Sequence, residues 1–280
     1  MKLLHGKLVA NEILAQLQSE LIDFEKKPRL DVILIGNDQA SHLYVALKRK
    51  KAKEIGIEFL LHEFTEEVQQ GEIVDLIVSL NENNDVSGII VQLPILEKFD
   101  TDLIISTINP KKDVDGFHGK NIELFLSDSD CAAPVFPLAI LQIIKSVKKM
   151  LVGKNTIVVA NSDEFGKIMC AALGKDGFFA NYFLSSSFDQ NIAKIKNADI
   201  VISAVGIPGI IAGKMLKSGA VVVDGGIKNV DGKILGDVDF ASTAENVGYI
   251  TPVPGGVGPV TIACLLQNVY LAFKAQQREK

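Results

Sequence analysis

Tyr44 and Lys48 stand four residues apart in SHLYVALKRKKAKEIG, residues 41–56, a stretch with helical spacing. Side chains four apart share one face of a helix, so a ring and an ammonium are predicted to project together near its start. Leu43 and Leu47 are expected to mark the apolar side beside them. A lysine next to an aromatic platform can meet a planar ligand, and burial lowers its pKa towards the range where it accepts a proton. Arg49, Lys50, Lys51 and Lys53 read as a solvated basic face. Gln92 closes the apolar run GIIV, just before LP. A primary amide there is costly unless hydrogen-bonded, either to neighbouring backbone or to a polar group in a cleft. KKDVDGFHG, residues 111–119, adds Asp113, Asp115 and His118. Each carboxylate suits either an Asx turn or a donor-rich ligand. His118 could act as a base, but nothing marks it over a plain loop histidine. The spacing matches no familiar metal-ligand set.

These residues need a frame, and the sequence supplies two. RLDVILIG (29–36), IEFLLHEF (57–64) and VSGIIVQLP (86–94) read as strands, separated by helical stretches over 41–56 and around 72–83. A second series follows: NTIVVA (155–160), GFFANYFLS (177–185), ADIVISAVG (198–206) and GAVVVDGG (219–226), with helical segments around 166–175, 189–197 and 212–218. Strands that are apolar throughout and alternate with helices predict parallel sheets covered on both faces. Periodicity fades between Lys120 and Pro137, in LSDSDCAAPVFP. A last helix, about 259–277, is expected to pack back on the first unit. The expected domains are therefore 1–125 plus 259–280, and 126–258.

Composition narrows the class. The chain has 280 residues, 48% hydrophobic and only 6% aromatic, enough for a large aliphatic core. A net charge of −5 argues against sequence-independent nucleic-acid binding. Cys131, Cys170 and Cys264 lie far apart with no CxxC pair, as expected of free thiols in a reducing cytoplasm. Lys2, Lys7 and Glu12 interrupt what would be the apolar part of a signal peptide, and no uninterrupted apolar run reaches about 18 residues, so no membrane span is expected.

In open parallel sheets, ligands bind beyond the carboxyl ends of the strands. After strand 155–160 comes NSDEFGK, in the position of a dinucleotide loop, but without GxGxxG. SAVGIPG (203–209) and VDGGI (223–227) place small residues at later strand ends, where a cofactor could lie flat. TPVPGGVGPVT, residues 251–261, packs three prolines and three glycines into a stiff loop with bare backbone ahead of the last helix.

Together YVALKRK, GIIVQLP, KDVDGFHGKN, ADIVISAVGIPG, GAVVVDGGI, GDVDF and TPVPGGVGPVT resemble one family, the bifunctional methylenetetrahydrofolate dehydrogenase/methenyltetrahydrofolate cyclohydrolases. Seven motifs in the family's order spread the resemblance over about residues 36–270, nearly the whole chain. The resemblance implies an α/β fold of two domains, the second a Rossmann-like parallel-sheet nucleotide-binding domain, with the active site in the cleft between them. It implies oxidation of methylenetetrahydrofolate by NADP or NAD, then hydrolysis to the formyl compound, without a metal, in a cytoplasmic homodimer. By resemblance Lys48 is the general base, Gln92 orients it, Tyr44 stacks on the pterin and Asp115 binds the pterin N–H groups. Leu93, Pro254, Gly255 and Gly256 complete the folate site. Ala160, Asn161, Ser162, Ser187, Ala204, Gly206 and Ile227 fall at the cofactor positions.

The cofactor half departs from the family pattern. Gly-Arg-Ser is Ala160, Asn161 and Ser162 here, followed by Asp163 and Glu164. His-Ser-x-Thr is Ser186, Ser187, Phe188 and Asp189, and Pro-Cys-Thr-Pro is Pro134, Val135, Phe136 and Pro137. Losing a cation and gaining carboxylates disfavours a dianionic 2′-phosphate. Three readings stand: a bifunctional enzyme with weakened preference for NADP, a cyclohydrolase with little dehydrogenase activity, and a folate-binding or oligomer-forming protein without turnover. An unrelated hydroxy-acid dehydrogenase is disfavoured, since no matching catalytic histidine and acid are found.

Overall fold

The computed structural model describes residues 1–147, 151–243 and 246–278. In chain order the elements are β1 (Lys2–Leu3), α1 (Gly6–Leu21), β2 (Arg29–Ile35), α2 (Gln39–Ile55), β3 (Glu58–Phe64), α3 (Gln70–Glu82), β4 (Gly88–Val91), α4 (Thr101–Thr107), α5 (Gly119–Leu126) and α6 (Val135–Lys145). They continue with β5 (Asn155–Ala160), α7 (Asp163–Lys175), β6 (Phe179–Leu184), α8 (Phe188–Asn197), β7 (Ile200–Ala204), β8 (Val221–Asp224), β9 (Lys228–Val230), β10 (Lys233–Leu235), β11 (Tyr249–Ile250) and α9 (Val257–Arg278).

Two compact units result, Asn11–Val135 with Ile262–Lys280, and Met1–Ala10 with Phe136–Thr261. The expected boundaries put residues 1–10 in the first domain. The structure puts them in the other unit, because Lys2 and Leu3 pair in parallel with Tyr249 and Ile250, and Gly6 N–H donates to the Gly255 carbonyl at 3.0 Å.

In the unit holding Lys48, β2 lies between β3 and β4 in a parallel sheet. Ile33, Ile35, Ile89 and Val91 pack with Ile73, Ile77, Leu80 and Ile104 from α3 and α4. A parallel bridge from Ile89 to Asp113 extends the sheet at its β4 edge. Lys112, just before it, is buried and donates to the carbonyls of Leu80, Asn81 and Asn83, around the carboxyl end of α3, where a cation is favoured. A Cβ on Gly88 would lie 2.6 Å from a Val114 methyl, so β4 admits the 112–115 segment only with glycine there.

α2 begins where the Asp38 carboxylate accepts from Ser41 N–H at 2.7 Å and ends at Gly56 with φ +85. Its buried stripe is Ser41, Val45, Lys48, Ala52 and Ile55. Lys48 thus occupies an inward position between apolar Val45 and Ala52. The expected apolar side is corrected: Leu43 is 64% and Leu47 42% exposed. Each lies two residues, about 200° around the helix, from Val45, and so misses the stripe.

The other unit carries a parallel sheet in the order β1-β11-β8-β7-β5-β6. Its core gathers Ile157, Val159, Val201, Val222 and Ile250 with Phe188 and Ile195 of α8. The helix expected over 212–218 is reduced to one 3₁₀ turn, Gly213–Met215. Gly219 has φ +76, and a Cβ on Gly213 would meet the Ser242 carbonyl oxygen at 1.9 Å. Glycine at both ends leaves too few residues to propagate a helix.

Within α7, a Cβ on Gly166 would lie 2.2 Å from the Tyr182 ring. That ring is tethered, since its hydroxyl donates to Asp163 Oδ1 at 3.0 Å. Gly166→Ala should therefore lower stability by about 1–3 kcal/mol through overpacking, although alanine is the better helix former. The midpoint of urea unfolding reads this; an unchanged or higher midpoint would show that Tyr182 yields freely. α9 is long and apolar enough to cross a membrane by length and composition, yet 61% of its most apolar window is buried. Val260, Ala263, Leu266, Val269, Tyr270 and Phe273 are all buried, as in a core helix.

Candidate active site

Just past β4, Gln92 N–H donates to the Ile33 carbonyl at 2.8 Å, so the sheet fixes this residue's backbone. Its side chain bonds both neighbouring backbone and a polar side chain distant in sequence. Nε2 donates to the Leu93 carbonyl at 2.7 Å, and Oε1 accepts from Lys48 Nζ at 2.9 Å. The backbone bond turns the amide oxygen towards the lysine. Lys48 is 6% and Gln92 9% exposed. The Tyr44 ring centroid lies 5.2 Å from Nζ. Burial pushes the Lys48 ammonium below its ordinary pKa, while the Asp115 charge acts in the opposite sense. The arrangement suits an amine that gives up its proton more readily than a surface lysine, held by a neutral acceptor.

Asp115 and Asp113 have different tasks. Asp113 builds a turn: it accepts from Gly116 N–H at 3.1 Å, His118 N–H at 2.9 Å and Asn121 Nδ2 at 2.9 Å. Asn268 of α9 donates both amide hydrogens, to Val114 O at 2.9 Å and Ala133 O at 2.8 Å, and Val135 N–H donates to Asp115 O. Gly116 has φ +77 with Pro134 closely apposed. Asp115 is the carboxylate this turn presents. It keeps some open surface, but protein crowds its carboxyl. That burial pushes its pKa up to about 6, with Lys48 pulling it down and Asp113 adding to the rise. His118 caps α5. Its Nδ1 accepts from Lys120 N–H at 3.0 Å and its Nε2 lies 3.2 Å from the Ser106 carbonyl, so backbone engages both ring nitrogens. Tyr44, Lys48, Gln92, Leu93 and Asp115 all belong to one unit. Among the described residues, no three His, Cys, Asp or Glu side chains gather as a metal ion would require.

The residues read as cofactor-binding lie in the other unit. Ala160 is buried at the end of β5, and Asn161 and Ser162 are exposed. Ser162 caps α7, its Oγ accepting from Phe165 N–H at 3.2 Å. The Ser187 hydroxyl donates to the Leu184 carbonyl at 2.9 Å, closing a 3₁₀ turn. Ala204 ends β7 and Gly206 follows it with φ +72, and Ile227 after β8 is 60% exposed. In register, Ala160 stands opposite Ala204, and Ser203 opposite Asp224, so these strand ends adjoin. Small residues and bare backbone at adjacent carboxyl ends fit a dinucleotide. The same unit holds the proline and glycine loop. Pro254 and Gly255 are exposed, Gly255 with φ +104. Gly256 is buried where a Cβ would meet Pro252 O and Thr251 at 2.7 Å, and a Cβ on Gly6 would meet Gly256 O at 1.7 Å.

Sequence reasoning gave no role to two buried acids of this unit, Asp224 and Asp237. Burial pushes the Asp224 carboxyl up to about 6, while backbone N–H groups of Val238, Asp237 and Gly226 pull it down and the Asp237 charge adds to the rise. The available signal was a carboxylate closing the apolar run VVV.

Comparison with known proteins covers the whole chain. The model for the tetrahydrofolate dehydrogenase/cyclohydrolase catalytic domain matches residues 4–115. The model for the NAD(P)-binding domain of the same family matches residues 134–277. A Bifunctional protein FolD of Campylobacter concisus is 41% identical over 281 residues, covering 99% of each chain. The crystal structure of the bifunctional enzyme FolD from Campylobacter jejuni is similar with TM-score 0.92 and 36% identity, covering 98% of this chain and 99% of that one. The Trypanosoma brucei FolD structure, complexed with NADP cofactor and inhibitor, gives TM-score 0.92 at 30% identity, covering 99% and 98%. With both domain models matched and identity above two-fifths along its length, the chain belongs to the tetrahydrofolate dehydrogenase/cyclohydrolase family.

Proposed function

We propose that this protein oxidises 5,10-methylenetetrahydrofolate to the methenyl compound with a nicotinamide dinucleotide, and then hydrolyses that cation to 10-formyltetrahydrofolate. The observation that carries this reading is the buried Lys48–Gln92 hydrogen bond beside Tyr44, with Asp115 acting on the same amine. Tyr44 stacks on the pterin, and ionised Asp115 accepts hydrogen bonds from its N–H groups. Leu93, Pro254, Gly255 and Gly256 line the folate. In the hydrolytic step neutral Lys48 takes a proton from the water that attacks the methenyl carbon; the bond from that carbon to N5 then breaks, N5 takes up the hydroxyl's proton, and the carbon stays on N10 as the formyl group. The cationic intermediate repels an ammonium, so the substrate itself favours the neutral amine. Gln92 Oε1 holds Nζ in place as it gains that proton.

Ala160, Asn161, Ser162, Ser187, Ala204, Gly206 and Ile227 would hold the dinucleotide, whose nicotinamide accepts the hydride. Mixing pure protein and methylenetetrahydrofolate with NAD or NADP tests the oxidation; no absorbance change with either removes it. Decay of methenyltetrahydrofolate no faster than with Lys48→Ala protein removes the hydrolysis.

We read the cofactor as NAD in preference to NADP. Asn161 offers no charge to a 2′-phosphate, and exposed Asp163 and Glu164 open α7 with two carboxylates. Asn161→Arg should tighten NADPH binding about tenfold, the worth of one charge-assisted hydrogen bond, and leave NADH binding within about twofold. Fluorescence titration measures both. Strong NADPH preference in the unaltered protein would overturn this reading.

A further inference from the structure

Asp237 is fully buried and accepts three hydrogen bonds, from Ser203 Oγ at 2.7 Å and Val205 N–H at 2.8 Å on Oδ2, and from Ile207 N–H at 2.8 Å on Oδ1. Its donors are alternate residues of one short segment. The residues between them, Ala204 and Gly206, are the ones read above as cofactor-binding. A single carboxylate thus gathers the backbone that follows β7.

Asp237 is itself held by the second buried acid. Asp224 Oδ1 accepts from Asp237 N–H and Gly226 N–H, each at 3.0 Å, and Oδ2 accepts from Val238 N–H at 2.9 Å. Asp224 N–H donates to Thr251 Oγ1 at 2.8 Å. Glycines make room for both acids. A Cβ on Gly226 would lie 2.1 Å from the Asp237 carboxyl, and a Cβ on Gly236 would lie 2.1 Å from Asp224 Oδ2. The Gly-Gly after β8 and the Gly-Asp-Val-Asp stretch are therefore parts of one device. They bring two carboxylates under the loops after β7 and β8 and satisfy both with backbone donors.

We infer that Asp237 is a positioning residue for the nicotinamide dinucleotide, setting the backbone of Ser203–Ile207 so that Ala204 and Gly206 can lie against it. The inference rests on the cofactor reading given above. Two oxygens meet three donors here, and only a carboxylate accepts from both ends. An asparagine of the same shape has one acceptor oxygen and must point its NH₂ at a donor, either Ile207 N–H or the Val205 N–H and Ser203 pair. The segment must then shift to relieve that contact.

The test compares unaltered protein, Asp237→Asn and Ser203→Ala by titration with NADH and NADPH, by cyclohydrolase rate and by thermal melting without cofactor. Asp237→Asn should weaken binding of the preferred dinucleotide at least tenfold and raise its KM more than it lowers kcat. Cyclohydrolysis, which uses no nicotinamide, should stay within about twofold. Ser203→Ala removes one of the three donors and should weaken binding about threefold with little change in melting. Unaltered dinucleotide affinity in folded Asp237→Asn protein overturns the inference. If Asp237→Asn fails to fold, Ser203→Ala decides, and normal affinity there overturns it. If the unaltered protein hydrolyses methenyltetrahydrofolate yet binds neither dinucleotide, the cofactor reading itself falls, a result distinct from a variant that binds as well as its parent.

Discussion

Lys48→Met protein should hydrolyse methenyltetrahydrofolate about 10²–10⁴-fold more slowly than the unaltered enzyme, the usual worth of a positioned general base. Methionine fills nearly the same volume on the buried stripe of α2, between Val45 and Ala52, so the helix keeps its packing. What goes is the proton acceptor, together with the donor to Gln92 Oε1. Lys48→Arg separates basicity from charge. A guanidinium keeps the positive charge and hydrogen-bonding capacity but does not deprotonate in proteins, so it should be as poor a hydrolase as the methionine variant. The pH profile adds a third readout. Burial holds the Lys48 pKa below its ordinary value, so the parent's rate should climb with pH through that lowered pKa and then level, while both variants lack the climb. Hydrolysis within tenfold of the parent by either variant would remove Lys48 from the role of base.

The grouping of side chains around Lys48 was legible because its signals are local. Tyr44 and Lys48 share a face by helical spacing alone, and Gln92 announces itself as an amide ending a run of buried aliphatics. Asp113 and Asp115 could not be told apart, because their difference lies in distant partners. Asn121 and Asn268 fix the turn around them, and only the fold brings these residues there. The misplacement of Leu43 and Leu47 has a similar cause. Apolar side chains suggested the inner face, whereas the packed stripe runs through Val45, Lys48 and Ala52. A lysine at a core position weakens the very pattern used to find the core. The other unit was less legible. Tyr182 reaches Asp163 because β6 pairs with β5, and Asp237 serves Ser203 because their separate segments converge. Neither link has a periodicity to read. Residues 1–10 were misassigned because two exposed residues, Lys2 and Leu3, carry no strand pattern until β11 pairs with them.

Asp115→Asn should separate folding from function in opposite directions. The variant should bind the folate about 100-fold more weakly, since two hydrogen bonds from pterin N–H groups to a charged acceptor become one to a neutral oxygen. It should also be the more stable protein at pH 8. Burial raises the folded-state pKa of Asp115 from 3.8 to about 6. Between those values the folded chain retains a proton that the unfolded chain has lost, so this group's contribution to stability falls as pH rises through that window and stays low above it. An unfavourable shift of this size corresponds to at most about 3 kcal/mol, and solvent reaching this partly exposed residue reduces it to about 1–2 kcal/mol. Asparagine carries no such penalty. The variant's advantage should therefore be small at pH 4.5 and full at pH 8, read from urea unfolding at the two pH values. In the parent, folate affinity should weaken as pH drops below about 6, where Asp115 takes up its proton. An asparagine variant equally advantaged at both pH values would remove the raised pKa as the cause, and one less stable than its parent at pH 8 would show that attraction to the Lys48 charge outweighs the cost of burying the carboxylate. The buried Asp115 carboxylate would then be a net source of stability.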